Sequence, residues 1–378
     1  MKLLIQRSHL VQAIQNVHKA VSSKSTIPVL SGIKMAADKD GVRLTATDLE
    51  IGIETFIPTH IEDEPIMDVI EPGAIVLSAR YFADIVKKLP TQQVEIEVKQ
   101  NYLTIIRAGK SEYNLHGLDH EEFPRLPQVN DQHVFTIQAD ILKDMIRQVA
   151  FSVSTEEIRP MLTGVLFSLK NGHLKFVATD SHRLATREAT VEAAPALELS
   201  NVIVPGKSLN ELARLLPDND SLIDVVVAEN QVLVKMNRTQ FYTRLVDGQY
   251  PDISRIIPTT FKSGVTVTTK ELYNAVERAQ LIAKDSDNNL VRFTIKPDQL
   301  QITSNSPDVG KVSEVIDGIK MTGDELLIAF NAKYVMDALR VLDSEELVIE
   351  FTGSMSPFLL KQPDNPRYLY LVVPVRIY

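Results

Sequence analysis

Asp180, Ser181 and His182 bring together the three side-chain types of a hydrolytic triad. Triad members converge in space from separate elements, with the imidazole set between nucleophile and carboxylate. Three consecutive residues at a strand end point in different directions, so a turn is expected here and no catalytic constellation. The chain has no G-x-S-x-G elbow, no Walker loop and no G-x-G-x-x-G turn. It has no Cys, which removes disulfides, thiolate chemistry and Cys-based zinc sites. The eight His are scattered without an H-E-x-x-H pair. The acidic runs Glu62-Asp63-Glu64 and Asp119-His120-Glu121-Glu122 read as solvated turns. No catalytic residue, metal site or cofactor is expected.

The 378 residues exceed one hydrophobic core and suit two or three domains. The apolar share of 44% and charged share of 24% are ordinary for a globular protein. No run of 18 apolar residues exists, so no membrane span is expected. The start, Met1 to Arg7, lacks the apolar stretch of a signal peptide. A soluble, cytoplasmic protein is the expectation. Its net charge of −9 argues against gripping nucleic acid by bulk charge.

A repeat organises the chain. Leu10, Ile141 and Leu272 stand at intervals of 131 and head similar apolar stripes: Leu10, Ile14, Val17, Val21; Ile141, Met145, Val149; Leu272, Val276, Ala279. That spacing predicts an amphipathic helix in each copy. A second helix recurs over 78–89, 206–216 and 331–342, with Ser78 as a candidate N-cap and Pro90 and Pro217 as stops. Strand signals lie between and after the helices. Leu44 to Asp48 parallels Phe176 to Asp180 and Ile302 to Ser306. The Pro-rich stretches Phe123 to Pro127 and Tyr250 to Pro258 close the first two copies. The boundaries fall at 1–128, 129–258 and 259–378. Each copy reads as α+β with two helices and about eight short antiparallel strands, without the βαβ alternation of a Rossmann-type sheet.

The net charge conceals a pattern. The six helices, taken as 8–21, 78–89, 139–151, 206–216, 269–284 and 331–342, hold 13 Lys and Arg against 7 Asp and Glu. They carry +6 while the rest of the chain carries −15. Solvated helices gather basic residues by chance too, and the count alone does not choose. A functional reading sets the helices along one surface facing a polyanion, with acidic strands facing away. Twelve helices about 10 Å wide, side by side on a circle, would leave an opening of about 28 Å. A duplex roughly 20 Å wide would pass through it. Two copies of the chain supply twelve helices.

The chain resembles, along its whole length, the bacterial sliding-clamp family, the beta subunits of DNA polymerase III. The resemblance rests on Thr47-Asp48-Leu49-Glu50, on the run from Val177 to Ala185, on Leu245-Val246-Asp247-Gly248-Gln249-Tyr250-Pro251-Asp252, and on Val372-Val373-Pro374-Val375-Arg376. It implies the DNA clamp fold and a head-to-tail homodimeric ring that encircles duplex DNA without sequence preference. It implies a processivity factor that tethers the replicative polymerase and has no chemistry of its own. Implied partners are the polymerase alpha-type subunit, an ATP-dependent clamp loader and other proteins with a clamp-binding motif.

The resemblance also implies a groove for a partner peptide. Its residues here are Leu162, Thr179, Ser181, His182, Arg183, Leu184, Pro251, Arg255 and Ile256. The C-terminal run Leu371, Val372, Val373, Pro374, Val375, Arg376 and Ile377 completes it, with Met355, Ser356 and Pro357 nearby. Leu162, Leu184, Ile256 and the terminal valines suit an apolar anchor. Arg183, Arg255 and Arg376 suit a peptide backbone or an acidic flank. The same apolar residues would equally serve as interdomain core.

DNA contacts by resemblance fall on Lys24, Arg80 and Lys207, with Lys143, Arg147, Arg214, Lys270, Arg278, Lys333 and Arg340 as further helix candidates. They should touch phosphates only, since sliding needs sequence-blind contacts. Pro160 and Met161 stand where many members carry two aromatics, so a base-stacking role of that loop is not implied. Ring closure is expected to pair the edge Ser111 to Leu115, with Tyr113 and Leu115, against Arg278, Leu281 and Ile282 of a second copy, near Tyr81 and Ile85. Two other readings compete: an enzyme using the Asp180–His182 loop, and a sequence-specific DNA binder.

Overall fold

The computed structural model describes all residues except 23–25, 128–132, 285–288 and 377–378. Among these residues six α-helices alternate with antiparallel strands: α1 Arg7–Val17, α2 Ala79–Lys88, α3 Ala139–Val149, α4 Gly206–Ala213, α5 Thr269–Ala283 and α6 Ala332–Leu339. Among the described residues, eleven strands lie in 1–128 and nine in each of the later thirds. Compactness divides the chain differently. Unit 1 takes Met1–Asp140 and Arg214–Leu245, and unit 2 takes Ile141–Ala213 and Val246–Tyr378.

The reason is sheet continuity. In unit 1 the strands Gly73–Ser78, Gly32–Asp38, Gly41–Thr47 and Ile51–Pro58 run on into Thr239–Arg244, Gln231–Met236, Leu222–Val227 and Val134–Gln138. The join is Ile51–Pro58 against Thr239–Arg244, with Tyr242 opposite Gly52. Unit 2 repeats the design. Its sheet runs from Leu199–Pro205 through Gly164–Lys170, His173–Thr179 and Arg183–Thr190 to Asn365–Val372 and beyond. There the join is Arg183–Thr190 against Asn365–Val372, with Leu371 opposite Leu184. Each unit has a second sheet, ending at Ser111–His116 in unit 1 and at Gly310–Asp317 in unit 2.

The helices cover sheet faces, as their apolar stripes require. Leu10, Ala13, Ile14 and Val17 of α1 are buried, and α1 packs on Gly41–Thr47, Ile51–Pro58 and α2. In unit 2, α5 packs beside α6 and on Gln299–Ser306 and Gly310–Asp317. One register expectation fails. Leu142, 1% exposed, takes the place held by Leu10 and Leu272, and Ile141 is only half-buried. The intervals are therefore 132 and 130; in each copy the helix starts on the residue after its strand, and this leucine is its fourth residue. Ser78 precedes α2 but its side chain makes no capping bond. Asn331 caps α6 instead, accepting from the Lys333 N–H at 2.9 Å. α4 ends at Ala213, short of the expected stop before Pro217.

Candidate functional site

The Thr179–Arg183 segment turns the chain between two neighbouring strands of unit 2. Thr179 Oγ1 donates to the Arg183 carbonyl at 2.6 Å and accepts from the Ser181 N–H at 3.1 Å. Asp180 Oδ1 accepts from the N–H groups of His182 and Arg183 at 2.9 and 3.0 Å. Ser181 sits at φ +80°, which the two side-chain acceptors hold in place. The Asp180 carboxylate is thus used up in making the turn and in pairing Arg183.

Arg183 is anchored deep in the fold. It is 5% exposed. Its Nε donates to Asp180 Oδ2 at 2.9 Å, one terminal nitrogen to Asp337 Oδ2 at 2.7 Å, and the other to the Phe151 carbonyl at 2.8 Å. The guanidinium also lies 4.9 Å from the Tyr334 ring centre and 5.5 Å from that of Phe151. Three of its five N–H donors are committed within the fold, which fixes its place at the edge of the site. Asp337 further accepts from Lys333 at 2.8 Å and from Arg340 at 3.4 Å. One carboxylate therefore organises three cations.

An apolar floor lies alongside. Leu162, Val177, Leu184, Ile203, Tyr250, Leu359 and Leu371 form one buried cluster, flanked by Met161, Ile253, Ile257, Phe261 and Val373. The Tyr250 hydroxyl accepts from the Thr179 N–H at 3.1 Å. Burial pushes the Tyr250 hydroxyl well above its usual range, so it stays neutral. Burial does the same to Tyr370, which donates to the Tyr334 carbonyl at 2.9 Å. The C-terminal run is pinned at alternate residues. Val373 N–H donates to the His182 carbonyl at 2.9 Å and Val375 N–H to the Ala329 carbonyl at 2.7 Å. Pro374, between them, has no N–H to satisfy.

The sequence-selected residues thus divide by depth. Leu162, Thr179, Leu184 and Leu371 are buried, and Ser356, Pro357, Val373, Pro374 and Val375 are half-buried. Ser181, His182, Pro251, Arg255, Ile256, Met355 and Arg376 are exposed. Val372 is fully buried and lies outside the Leu162–Leu184–Leu371 cluster. Ile377 lies outside the described residues. A cleft of about 470 Å³ opens beside the floor, lined by Leu162, His182, Arg183, Lys333, Tyr334 and the exposed Ile158, among others. The His182 and Tyr334 rings run nearly parallel across it, 6.2 Å between centres. Tyr334 and Asp337, which sequence reasoning missed, stand three apart on α6 and so share a face. That i, i+3 spacing beside Lys333 was the available signal.

The basic helix residues are less free than their count implied. Arg147 is held by Asp144 and Asp343, and Arg278 by both oxygens of Glu314 at 3.0 and 2.6 Å. Lys333 and Arg340 share Asp337. Their charge is partly neutralised within the fold. Lys143 and Arg214 make contacts of their own. Arg80 lies 5.9 Å over the Tyr81 ring. Lys207 and Lys270 are exposed and have no ion-pair partner among the described residues. Lys24 lies outside them.

Three family models cover nearly the whole chain: the DNA polymerase III beta subunit N-terminal domain over 1–127, central domain over 136–252 and C-terminal domain over 254–376. The chain belongs to the DNA polymerase III beta subunit family. It is 48% identical to the beta sliding clamp of Bacillus subtilis, with both chains covered in full. It is 40% identical to that of Staphylococcus aureus, again over all of both chains. The crystal structure of the Bacillus subtilis DNA polymerase sliding clamp matches all of this chain with a TM-score of 0.97. A Pseudomonas aeruginosa clamp, solved bound to griselimycin, matches at 29% identity with a TM-score of 0.92 over all of both chains. Sliding clamps are non-catalytic polymerase processivity factors, and this chain takes that role. No described helix is long and apolar enough to cross a membrane.

Proposed function

We propose that two copies of this chain close head to tail into a ring around duplex DNA. The ring tethers the replicative polymerase through the unit 2 groove and is opened by an ATP-dependent loader in the cytoplasm. One observation carries the closure. The chain joins consecutive repeats twice by the same antiparallel strand pairing, at Ile51–Pro58 with Thr239–Arg244 and at Arg183–Thr190 with Asn365–Val372. A third join of this kind has no partner within one chain. The strands that hold the corresponding places in the remaining copies, Ser111–His116 and Gly310–Asp317, each lie at the end of a sheet, and open edges invite pairing. A second copy satisfies both. Tyr113 on the first edge and Val315 on the second are exposed, as are Tyr81 and Leu281. Leu115, Ile85 and Ile282 are half-buried beside them in sequence. The Arg278–Glu314 pair fixes α5 to the Gly310–Asp317 edge.

The three sequence repeats at 1–128, 129–258 and 259–378 are the domains of this reading. DNA would be held by weak phosphate contacts from exposed helix bases, Lys207 and Lys270 first among them. The groove would take an extended peptide whose apolar anchor rests on the Leu162–Leu184–Leu371 floor, with Arg255 and Arg376 at its rim. The solution mass of the purified protein tests closure. Twice the chain mass is expected, falling to a single chain when Leu281 and Ile282 are both replaced by Asp. A monomeric parent protein would refute the ring.

A further inference from the structure

The face of unit 1 that corresponds to the groove floor of unit 2 is built differently. Tyr242 opposite Gly52 and Leu233 occupies the register that Leu371 holds opposite Leu184 and Leu359. Strand alternation turns Lys34, Arg43, Glu54 and Lys235 to this same face, away from α1. The linker Phe123 to Pro127 roofs it, leaving a cleft of about 660 Å³. Leu126 sits on Gly52 so closely that a Cβ there would lie 2.5 Å from its methyl. The apolar seat that unit 2 keeps at Leu184 is therefore filled here by the chain's own linker.

The charged residues of the lining are mainly basic. The lining contains Lys34, Arg43, Arg125 and Lys235 against a single acid, Glu54. Glu54 is already engaged by Thr45 at 3.3 Å and Arg43 at 3.6 Å. Lys34 lies 5.9 Å over the Phe123 ring, which holds the ammonium at the cleft wall. This concentration of cations stands out in a protein of net charge −9.

We propose that this cleft is a second docking groove, which takes an extended acidic segment of a partner protein. Its lining crosses five adjacent strands, about 19 Å at the usual strand spacing, which fits about six extended residues. Charge complementarity selects the acid. The choice of a peptide over nucleic acid rests on the reading of the unit 2 groove as a peptide site, and on the cleft facing away from the helix layer.

The test is fluorescence anisotropy of the full chain with a fluorescein-labelled peptide of alternating glutamate and leucine. The probe is expected to bind at low salt and weaken as salt rises. Lys34→Glu combined with Lys235→Glu should lower its affinity roughly tenfold or more. Arg125→Glu, on the exposed linker, should lower it several-fold with no demand on the sheet. A chain lacking Val375–Tyr378 should bind the probe unchanged, so a failure of the unit 2 groove reads out separately. Absence of binding, or binding indifferent to Arg125→Glu and to the double variant, would overturn the proposal. So would a single-stranded oligodeoxynucleotide that binds more tightly and displaces the peptide.

Discussion

Two turns in this molecule share one scaffold and differ in what they carry. In unit 1, Thr47 Oγ1 donates to the Ile51 carbonyl at 2.7 Å and accepts from the Leu49 N–H at 3.0 Å. Asp48 Oδ1 accepts from Glu50 and Ile51, and Leu49 sits at φ +78°. Thr179, Asp180, Ser181, His182 and Arg183 reproduce each of these bonds in unit 2. The difference is the last residue. Ile51 is a buried core side chain, whereas Arg183 recruits the second oxygen of Asp180 and reaches Asp337 on α6. The next residue differs too: Gly52 lies under Leu126, while Leu184 joins an apolar floor. The repeat supplies the turn, and two substitutions at its exit convert a piece of core into a site.

The strongest way to break this comparison is at the tail that only unit 2 possesses. Deleting Val375–Tyr378 removes the Val375–Ala329 bond and should abolish binding of a polymerase-derived peptide while thermal unfolding stays cooperative. Unchanged peptide affinity would refute the groove assignment. A second test separates the two exit residues. Arg183→Met leaves the largely buried Asp180 without its cation, while Asp337 keeps Lys333 and Arg340, and should destabilise unit 2 by about 3–5 kcal/mol in denaturant melts. Ile51→Val should cost unit 1 only about 0.5–1.5 kcal/mol. Equal effects would mean that Arg183 does no more than fill space.

The shared scaffold sharpens the contrast further. Thr47→Val and Thr179→Val each delete two hydroxyl hydrogen bonds and should each cost about 1–3 kcal/mol. Only the second should also weaken peptide binding, measured by titration calorimetry. The smallest effect concerns pH. Glu314 is held below its ordinary value chiefly by the Arg278 hydrogen bonds. A depressed carboxyl contributes stability above its unfolded pKa and loses it as pH falls through the folded value. The dimer mass should therefore hold from neutrality down to about pH 5, above the glutamate reference of about 4.3. Dissociation between pH 7 and 5 would exclude this pair as the fixture of the open edge.

Much of this was legible in the residues, and the exceptions have physical causes. Helices α1 and α5 announce themselves by apolar periodicity, and the strands ending at Thr47 and Thr179 by β-branched runs before a turn residue. The shared turn was visible as Thr-Asp in two copies. The burial of Arg183 was not, because its partner Asp337 lies 154 residues away and a guanidinium carries no mark of its depth in the sequence. The open edge Gly310–Asp317 was overlooked because its residues alternate weakly, with Lys311, Ser313 and Glu314 among them. Ser78 looked like a cap by residue type, yet capping is a matter of side-chain orientation, and Asn331 supplies the bond instead.

Retention on DNA probes the central claim most directly. Protein loaded onto a nicked circular duplex should stay bound through gel filtration at high salt and be lost once the circle is cut to linear form. Equal retention on both forms would mean that this chain holds DNA by surface contact, and the topological account would fail.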